Sequence, residues 1–166
     1  KTPRRQRQMC IRDSIKYAHQ NGFDVFLDLK LHDIPNTVKK SIKSLTSLPI
    51  KMLTIHTSGG MEMMKAAMEA VSGIDIKVFG VTALTSLSDN DTHNIFKRTV
   101  SEQVSAMLDL AELSGIDGIV CSPHELEIVR KRKSLLSITP GIRLQDTIDD
   151  QKRVMSPKEA IDCCLL

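Results

Sequence analysis

Five short apolar segments, each followed by residues of helical periodicity, constrain the fold of this chain more than any other feature. Their length and their content of Val, Ile, Leu and Phe are typical of buried strands. The segments are residues 23–31, 50–57, 75–84, 115–122 and 134–142. Because strands that alternate with helices form parallel sheets with right-handed crossovers, the pattern predicts one parallel sheet covered by helices.

The helix starts between these strands share a recognisable signature. A Ser or Thr followed three residues later by Glu allows the two residues to cap each other's backbone N–H groups. This spacing occurs at Thr99–Glu102, Ser122–Glu125 and Ser156–Glu159. Another helix is predicted from Pro35, because proline suits a first helical turn. A stripe at helical spacing is interpreted as core packing and consists of Met61, Met64, Met68 and Val71.

Composition excludes several classes of function. The 166 residues are 41% hydrophobic and 26% charged, which is typical of a single globular domain. Much of the net charge of +3 lies in the first twelve residues and aromatic residues are scarce, so we expect no nucleic-acid partner. No apolar run approaches the ~18 residues of a membrane span, so we expect no membrane partner. The four cysteines form no C-x-x-C pair, which favours a reduced, cytoplasmic setting.

Two architectures fit five strand–helix repeats: a doubly wound sheet, or part of a (β/α)8 barrel. No G-x-G-x-x-G or G-x-x-x-x-G-K-[ST] motif follows a strand, which weakens the nucleotide-binding sheets. Charged residues at the end of a strand favour the barrel, where catalytic groups occupy that position. A complete barrel typically needs ~250 residues. We therefore predict an α/β fold, an incomplete (β/α)8 TIM barrel with about five of the eight βα units present.

The segment VFLDLKLHDIPNTV, residues 25–38, is unusual for a strand in such a sheet. Alternation places one set of side chains on one face, Val25, Leu27, Leu29 and Leu31, and a second set on the other, Phe26, Asp28, Lys30 and His32. Both faces of a parallel sheet are normally covered, and burying two ions costs several kcal/mol each. A structural ion pair is one interpretation of Asp28 and Lys30, and a functional site is the favoured one.

The charges in this segment suit a particular chemistry. A lysine held between carboxylates, here Asp28 and Asp33, keeps its proton because the neighbouring negative charge favours the cation. Lys30 is then a proton donor beside a carboxylate that repels an anionic substrate group. Such an arrangement suits a decarboxylation, in which CO2 leaves and the remaining carbanion takes a proton.

The segment FLDLKLHDIPNTV also resembles the D-x-K-x-x-D signature of the orotidine 5′-phosphate decarboxylase family. The similarity covers roughly residues 15–162 and continues, in the family's order, through IHTSGG (55–60), VTALTS (81–86), GIVCSPHE (118–125), ITPGIR (138–143) and DDQKRVMSPKEAI (149–161). D-x-K-x-x-D alone is shared with sugar-phosphate relatives. The additional segments favour the decarboxylase.

The resemblance implies a reaction and a role for individual residues. Orotidine 5′-phosphate would become uridine 5′-phosphate in pyrimidine biosynthesis, with Lys30 protonating C6 and Asp28 near the departing carboxylate. In a homodimer, three residues would reach into the partner's site: Asp33, Ile34 and Thr37. Three more would contact the ligand, Thr85 along its length and Arg143 and Gln151 near its phosphate. No metal and no organic cofactor is implied.

Two alternatives stay open at this point. One is a magnesium-dependent keto-sugar-phosphate decarboxylase or hexulose-phosphate synthase of the same suprafamily. The other is a non-catalytic α/β fragment that pairs through its open edge. Three further polar residues are assigned no catalytic role: His56 as a structural hydrogen-bonding group, Cys121 as a small apolar residue, and His32.

The two ends of the chain fall outside the resemblance. RRQRQMCIRDS and the closing CLL look like translated sequencing-adapter sequence. We therefore expect residues 1–14 to be a non-native basic leader, 15–163 a partial decarboxylase barrel and 164–166 a non-native tail, the alternative being a genuine basic arm. Five strands cannot close a barrel, so we expect the charged strand to be an exposed edge. The isolated chain is expected to be poorly soluble and at most weakly active.

Overall fold

Five strands alternate with helices in a computed structural model that describes residues 4–143, 155–159 and 161, with side chains from residue 11 onward. The strands are β1 Phe26–Leu31, β2 Met52–His56, β3 Lys77–Val81, β4 Gly118–Val120 and β5 Leu136–Ile138. The helices are α1 Arg4–Gln20, α2 Pro35–Lys43, α3 Met61–Val71, α4 Asp89–Phe96, α5 Val100–Ser114 and α6 Leu126–Val129. Two 3-10 turns lie at Thr57–Gly59 and Pro123–Glu125. Each predicted strand segment contains one strand.

The five strands form one parallel sheet in the order β1–β2–β3–β4–β5. Neighbours in the sheet are therefore neighbours in the sequence. A doubly wound sheet reverses its order at a switch point, whereas a (β/α)8 barrel adds each strand beside the previous one. The sheet confirms the predicted α/β class and the barrel connectivity. Within the described residues, β1 and β5 are the edge strands.

The core lies between the sheet and the helices on its outer side. β2 contributes Leu53 and Ile55, which are fully buried, and α3 contributes Met63 and Met64. In the predicted stripe, Met64 and Val71 are buried and Met68 packs against the core, whereas Met61 is half-buried. Met63, which lies outside the predicted stripe, is also fully buried. A broad apolar face is normal for a helix packed against a sheet as well as other helices.

Local capping explains where several helices begin. The predicted caps are confirmed: Thr99 and Glu102 form a reciprocal capping box at α5, and so do Ser122 and Glu125 at the second 3-10 turn. Ser156 exchanges the same hydrogen bonds with Glu159. Helix α2 begins with Pro35 as predicted. Helix α4 was not predicted, although Ser88 and Asp91 form a capping box at its start.

The helices bear on two predictions: the boundary of the N-terminal leader and the question of a membrane-spanning segment. Helix α1 runs from Arg4 through the predicted leader, residues 1–14, into the predicted barrel segment. The boundary between leader and barrel stays a prediction. In the described part of the chain, no helix combines the length and the apolar character needed to cross a membrane.

Candidate active site

Strand β1 departs from regular pairing where its charged residues lie. Leu27 pairs with Leu53, but the next pair along the ladder is Leu31 with Ile55. Three residues of β1, from Asp28 to Lys30, therefore oppose a single residue of β2, Thr54. Lys30 has a φ of 51°, in the left-handed region that residues with a side chain seldom adopt. Such bulges re-aim side chains and are common beside active sites.

Thr54 fills the gap that this irregularity leaves in the ladder. Its hydroxyl accepts a hydrogen bond from the backbone N–H of Lys30 at 2.8 Å. The same hydroxyl donates to Oδ1 of Asp28, also at 2.8 Å. The other carboxylate oxygen, Oδ2, forms an ion pair with Nζ of Lys30. Thr54 is fully buried, so β2 fixes both charged residues of β1 from the core side.

The ion pair lies at an open surface rather than in a closed interior. The side chains of Lys30 and Asp28 are 42% and 47% exposed. The exposure agrees with the prediction that the charged strand is an edge, since β1 is an edge strand of the described sheet and its charged residues open into a cleft. In the described residues, the carboxylate in an ion pair with Lys30 is that of Asp28, and a second carboxylate neighbour stays a prediction. Asp33 is exposed, and its Oδ1 accepts a hydrogen bond from the N–H of Ile34 at 2.7 Å.

The environment lowers the pKa values of two groups, the carboxyl of Asp28 in the ion pair and the imidazole of the neighbouring His56. Partial burial raises the pKa of Asp28, but hydrogen bonds from Lys30 and Thr54 outweigh it and the net shift is downward. Asp28 is therefore a carboxylate at neutral pH. Burial lowers the pKa of His56, and the charges of His32 and Lys30 lower it further. The rings of His56 and His32 are 5.4 Å apart, so a neutral His56 is favoured beside the ion pair.

A cleft of about 230 Å3 opens at the carboxyl ends of the strands. β1 contributes Phe26, Asp28 and Lys30 to it. The rest of the lining comes from the ends of β3, β4 and β5 and the residues that follow them, Val81, Ala83, Leu84, Thr85, Val120, Cys121, Ile138, Thr139 and Pro140. Among the described residues of this lining, Asp28 and Lys30 carry the charged side chains. A small, mostly apolar cleft with one ion pair strengthens the electrostatic interactions of any ligand within it.

The structure brings together some of the predicted site residues and separates others. Thr85 lines the cleft together with Asp28 and Lys30. Cys121 is buried in the core, as predicted, and also reaches the cleft. Arg143 follows β5 but is not among the lining residues, and its backbone N–H donates to the carbonyl of Met155 at 3.0 Å. Gln151 lies outside the described residues.

The predicted intersubunit residues share one location. Asp33, Ile34 and Thr37 are all exposed, at the start of α2. Ile34 is 68% exposed and presents an apolar surface beside Asp33. The three residues are outside the lining of the cleft in their own chain. Their position is compatible with a role towards a second subunit, which stays a prediction.

Sequence reasoning missed one polar residue of the site, Thr54. A hydroxyl between the apolar residues Leu53 and Ile55 was the available signal, but only the pairing with β1 reveals its partners. The apolar wall formed by Val120 and Ile138 was also not predicted. In the described residues, no group of three or more His, Cys, Asp or Glu side chains is arranged to hold a metal ion.

The parallel strands in sequential order and the charged cleft at their carboxyl ends define the class of the protein. It is an α/β protein of (β/α)8-barrel connectivity, with a candidate site where barrel enzymes carry their active sites. The family model described as "Orotidine 5'-phosphate decarboxylase / HUMPS family" matches residues 7–165. The chain belongs to this family.

Individual relatives agree with the family match. The orotidine 5′-phosphate decarboxylase of Ehrlichia chaffeensis is 51% identical over 144 residues, which cover 84% of this chain and 62% of that protein. The protein of the same name from Wigglesworthia glossinidia brevipalpis is 47% identical, covering 89% of this chain and 66% of its own length. The chain thus spans less than two thirds of these relatives.

A solved structure gives the same result for the fold. The crystal structure of orotidine 5′-phosphate decarboxylase from Lactobacillus acidophilus superimposes with a TM-score of 0.77 at 37% identity. The match covers 91% of this chain and 67% of that one. The fold and the family are therefore established together.

Proposed function

We propose that this chain carries the decarboxylase site of an orotidine 5′-phosphate decarboxylase, a carboxy-lyase that forms uridine 5′-phosphate in pyrimidine biosynthesis. The observation that carries the proposal is the Asp28–Lys30 ion pair in the cleft. Family membership and the names of the relatives at 47–51% identity support the same substrate. We place the reaction in the cytoplasm, because the four cysteines of the sequence form no C-x-x-C pair.

The proposed mechanism uses the two charges for opposite purposes. Asp28 stays ionised, so it repels a substrate carboxylate that lies beside it and disfavours the bound ground state. The bond between C6 and the carboxylate breaks, its electron pair stays on C6, and CO2 leaves. Lys30 Nζ then gives a proton to C6, and solvent restores the proton to the amine. Lys30 stabilises the developing negative charge before it transfers the proton.

The apolar wall of the cleft has a role in this scheme. Val120 and Ile138 line the same cleft as the ion pair, and CO2 is an uncharged product that such an apolar surface accepts better than a carboxylate. Thr85 also lines the cleft, and we assign it to contacts along the length of the ligand. We assign Arg143 and Gln151 to the phosphate end, where remote binding energy contributes to catalysis.

We further propose that the active protein is a homodimer with shared sites. Three exposed residues do not line the cleft of their own chain and could reach the cleft of a partner subunit: Asp33, Ile34 and Thr37. A carboxylate such as Asp33 would add to the negative field that acts on the substrate carboxylate. In this scheme Lys30 has two carboxylate neighbours only in the assembled protein.

The decisive experiment is a turnover assay with the purified chain and carboxyl-labelled orotidine 5′-phosphate, in which released CO2 is counted. Lys30→Ala removes the proton donor, so the rate should fall at least about 100-fold. The matched control is Lys51→Ala, which also breaks a lysine–aspartate ion pair, with Asp75, but outside the cleft. Its rate should equal that of the unchanged chain. Equal rates for Lys30→Ala and Lys51→Ala would refute the role of Lys30.

Two further measurements separate the alternatives. Turnover of a keto-sugar phosphate that depends on added Mg2+ and is abolished by a chelator would support the magnesium-dependent relatives instead. Binding of uridine 5′-phosphate, followed by NMR shifts of Asp28 and Thr85, reports on the site even when turnover is slow. Neither ligand response nor turnover would support a non-catalytic α/β fragment.

A further inference from the structure

We propose that Thr54 is a positioning residue of this site, holding the carboxylate of Asp28 and the backbone of Lys30 in their working geometry through one buried hydroxyl. The proposal rests on the function proposed above and adds a residue to its machinery. Thr54 does not line the cleft and touches no substrate. It acts only through the two charged residues of β1.

The first support is the hydrogen-bond arrangement of the hydroxyl. A threonine hydroxyl has one proton to donate and accepts through its lone pairs. Here the proton goes to Asp28 Oδ1, so the bond from the Lys30 N–H is accepted by the same oxygen. The directions are fixed, because an ionised carboxylate can only accept and an amide N–H can only donate. The oxygen therefore links the side chain of one residue to the backbone of the other.

The second support is the backbone of β1. Between the pairs Leu27–Leu53 and Leu31–Ile55 the regular ladder is interrupted. The N–H of Lys30 would lack a ladder partner there, and Thr54 Oγ1 takes its place. Lys30 also adopts a positive φ, a conformation that persists only where its surroundings enforce it. Thr54 is the one residue of β2 opposite this irregular stretch.

The third support is a comparison with a second buried threonine, Thr57, whose hydroxyl has a different kind of partner. Thr57 is also fully buried, and its hydroxyl donates to the carbonyl of Val81 at 2.9 Å. That bond satisfies a hydroxyl within the fold and involves no charged group. Thr54, in contrast, donates to a carboxylate, and such charge-assisted hydrogen bonds are the stronger kind. Thr57 therefore provides a matched comparison for a purely structural role.

The test uses variants that distinguish the shape of the Thr54 side chain from its hydroxyl group. Thr54→Val keeps the shape and removes the hydroxyl, whereas Thr54→Ser keeps the hydroxyl and removes the methyl group. Thr57→Val is the control. The first readout is the NMR titration of the Asp28 carboxyl carbon, which needs no turnover. The titratable groups that influence Asp28 are Lys30 on β1 and His56 on β2, and both are unchanged in all three variants.

The Asp28 titration should change in Thr54→Val and stay the same in the other two variants. In Thr54→Val the pKa of Asp28 rises, because a hydrogen bond to its charged form is lost, and the Lys30 amide exchanges its hydrogen faster. Thr54→Ser and Thr57→Val keep the titration of the unchanged chain. An Asp28 titration that is the same in Thr54→Val and the unchanged chain would overturn the proposal, whatever the activity.

Turnover provides the second readout and tests the proposed function separately. Where the unchanged chain releases CO2, Thr54→Val should lower kcat on the order of tenfold to a hundredfold, and Thr54→Ser should restore most of it. Where the unchanged chain shows no turnover, the proposed function fails for this chain while the titration still decides the role of Thr54. Loss of kcat in Thr54→Val and Thr54→Ser alike would contradict the importance of the hydroxyl.

Discussion

Gly118 is the position where a single methyl group should disturb this fold most. It lies in β4 between Phe79 of β3 and Leu136 of β5. A Cβ added to Gly118 would lie 2.6 Å from the carbonyl oxygen of Leu136 and 2.6 Å from Cε1 of Phe79. The oxygen belongs to the backbone, so the clash cannot be relieved by a change of rotamer. Strand β5 must move by roughly 1 Å to restore ordinary contact.

The cost of Gly118→Ala follows from two contributions. Overpacking of this kind costs about 1–3 kcal/mol. Moving β5 also stretches the bonds that attach it to β4, such as that from the Leu136 N–H to the Asp117 carbonyl at 3.0 Å, and each lost bond costs about 1 kcal/mol. We expect the free energy of unfolding to fall by about 3 kcal/mol. For a chain of this length, Tm should fall by roughly 6–12 °C.

Urea unfolding followed by circular dichroism measures this change directly. The matched control is Ser137→Ala, on the neighbouring residue of β5, whose side chain is exposed. It should change the free energy of unfolding by less than about 0.5 kcal/mol. A Gly118→Ala variant as stable as Ser137→Ala would show that β4 and β5 are not packed as described. Since β5 carries Ile138 and part of the cleft, ligand binding should weaken in Gly118→Ala as well.

Three further results are expected. Ser88→Ala removes the cap of α4 and should lower the free energy of unfolding by about 1 kcal/mol in the same urea experiment; no change would mean that α4 begins elsewhere. The pKa of Asp28 is lowered from 3.8 by folding, so its charge stabilises the fold above that pH and the contribution is lost on acidification. The difference in unfolding free energy between the unchanged chain and Asp28→Asn should therefore shrink as the pH falls below 3.8, and a difference that grows on acidification would contradict the sign. Ile34→Asp should convert a dimer to monomers in light scattering while Ile95→Asp, also an exposed isoleucine, leaves the mass unchanged; equal masses for both variants would exclude Ile34 from the interface.

The sequence predicted those features that depend on residues close together in the chain. Strand alternation, the capping box of Thr99 with Glu102, and Pro35 at a helix start are all local, and all are confirmed. Helix α4 was missed because its box uses Asp91 instead of Glu or Gln and its residues are mostly polar. The periodicity that identifies other helices is weak there.

The site was predicted less completely because its geometry depends on strand pairing. The sequence placed Asp28 and Lys30 on the same face of β1, and both line the cleft as expected. It did not indicate the irregular register, the positive φ of Lys30 or the contribution of Thr54, which is 24 residues away from Lys30 in the chain.

The sequential order of the strands determines when the residues of the site become available during protein synthesis. Each strand emerges from the ribosome after its partner on one side is already available, so pairing can proceed from the N-terminal side. The ion pair and the threonine that holds it are complete once β2 has emerged, by His56. The rest of the cleft lining follows later, from Val81 onward, and its last residue, Pro140, comes more than eighty residues after His56. The residues of the ion pair and of the cavity that would retain a ligand are therefore synthesised at well-separated times, and the cavity can form only after β5 has emerged.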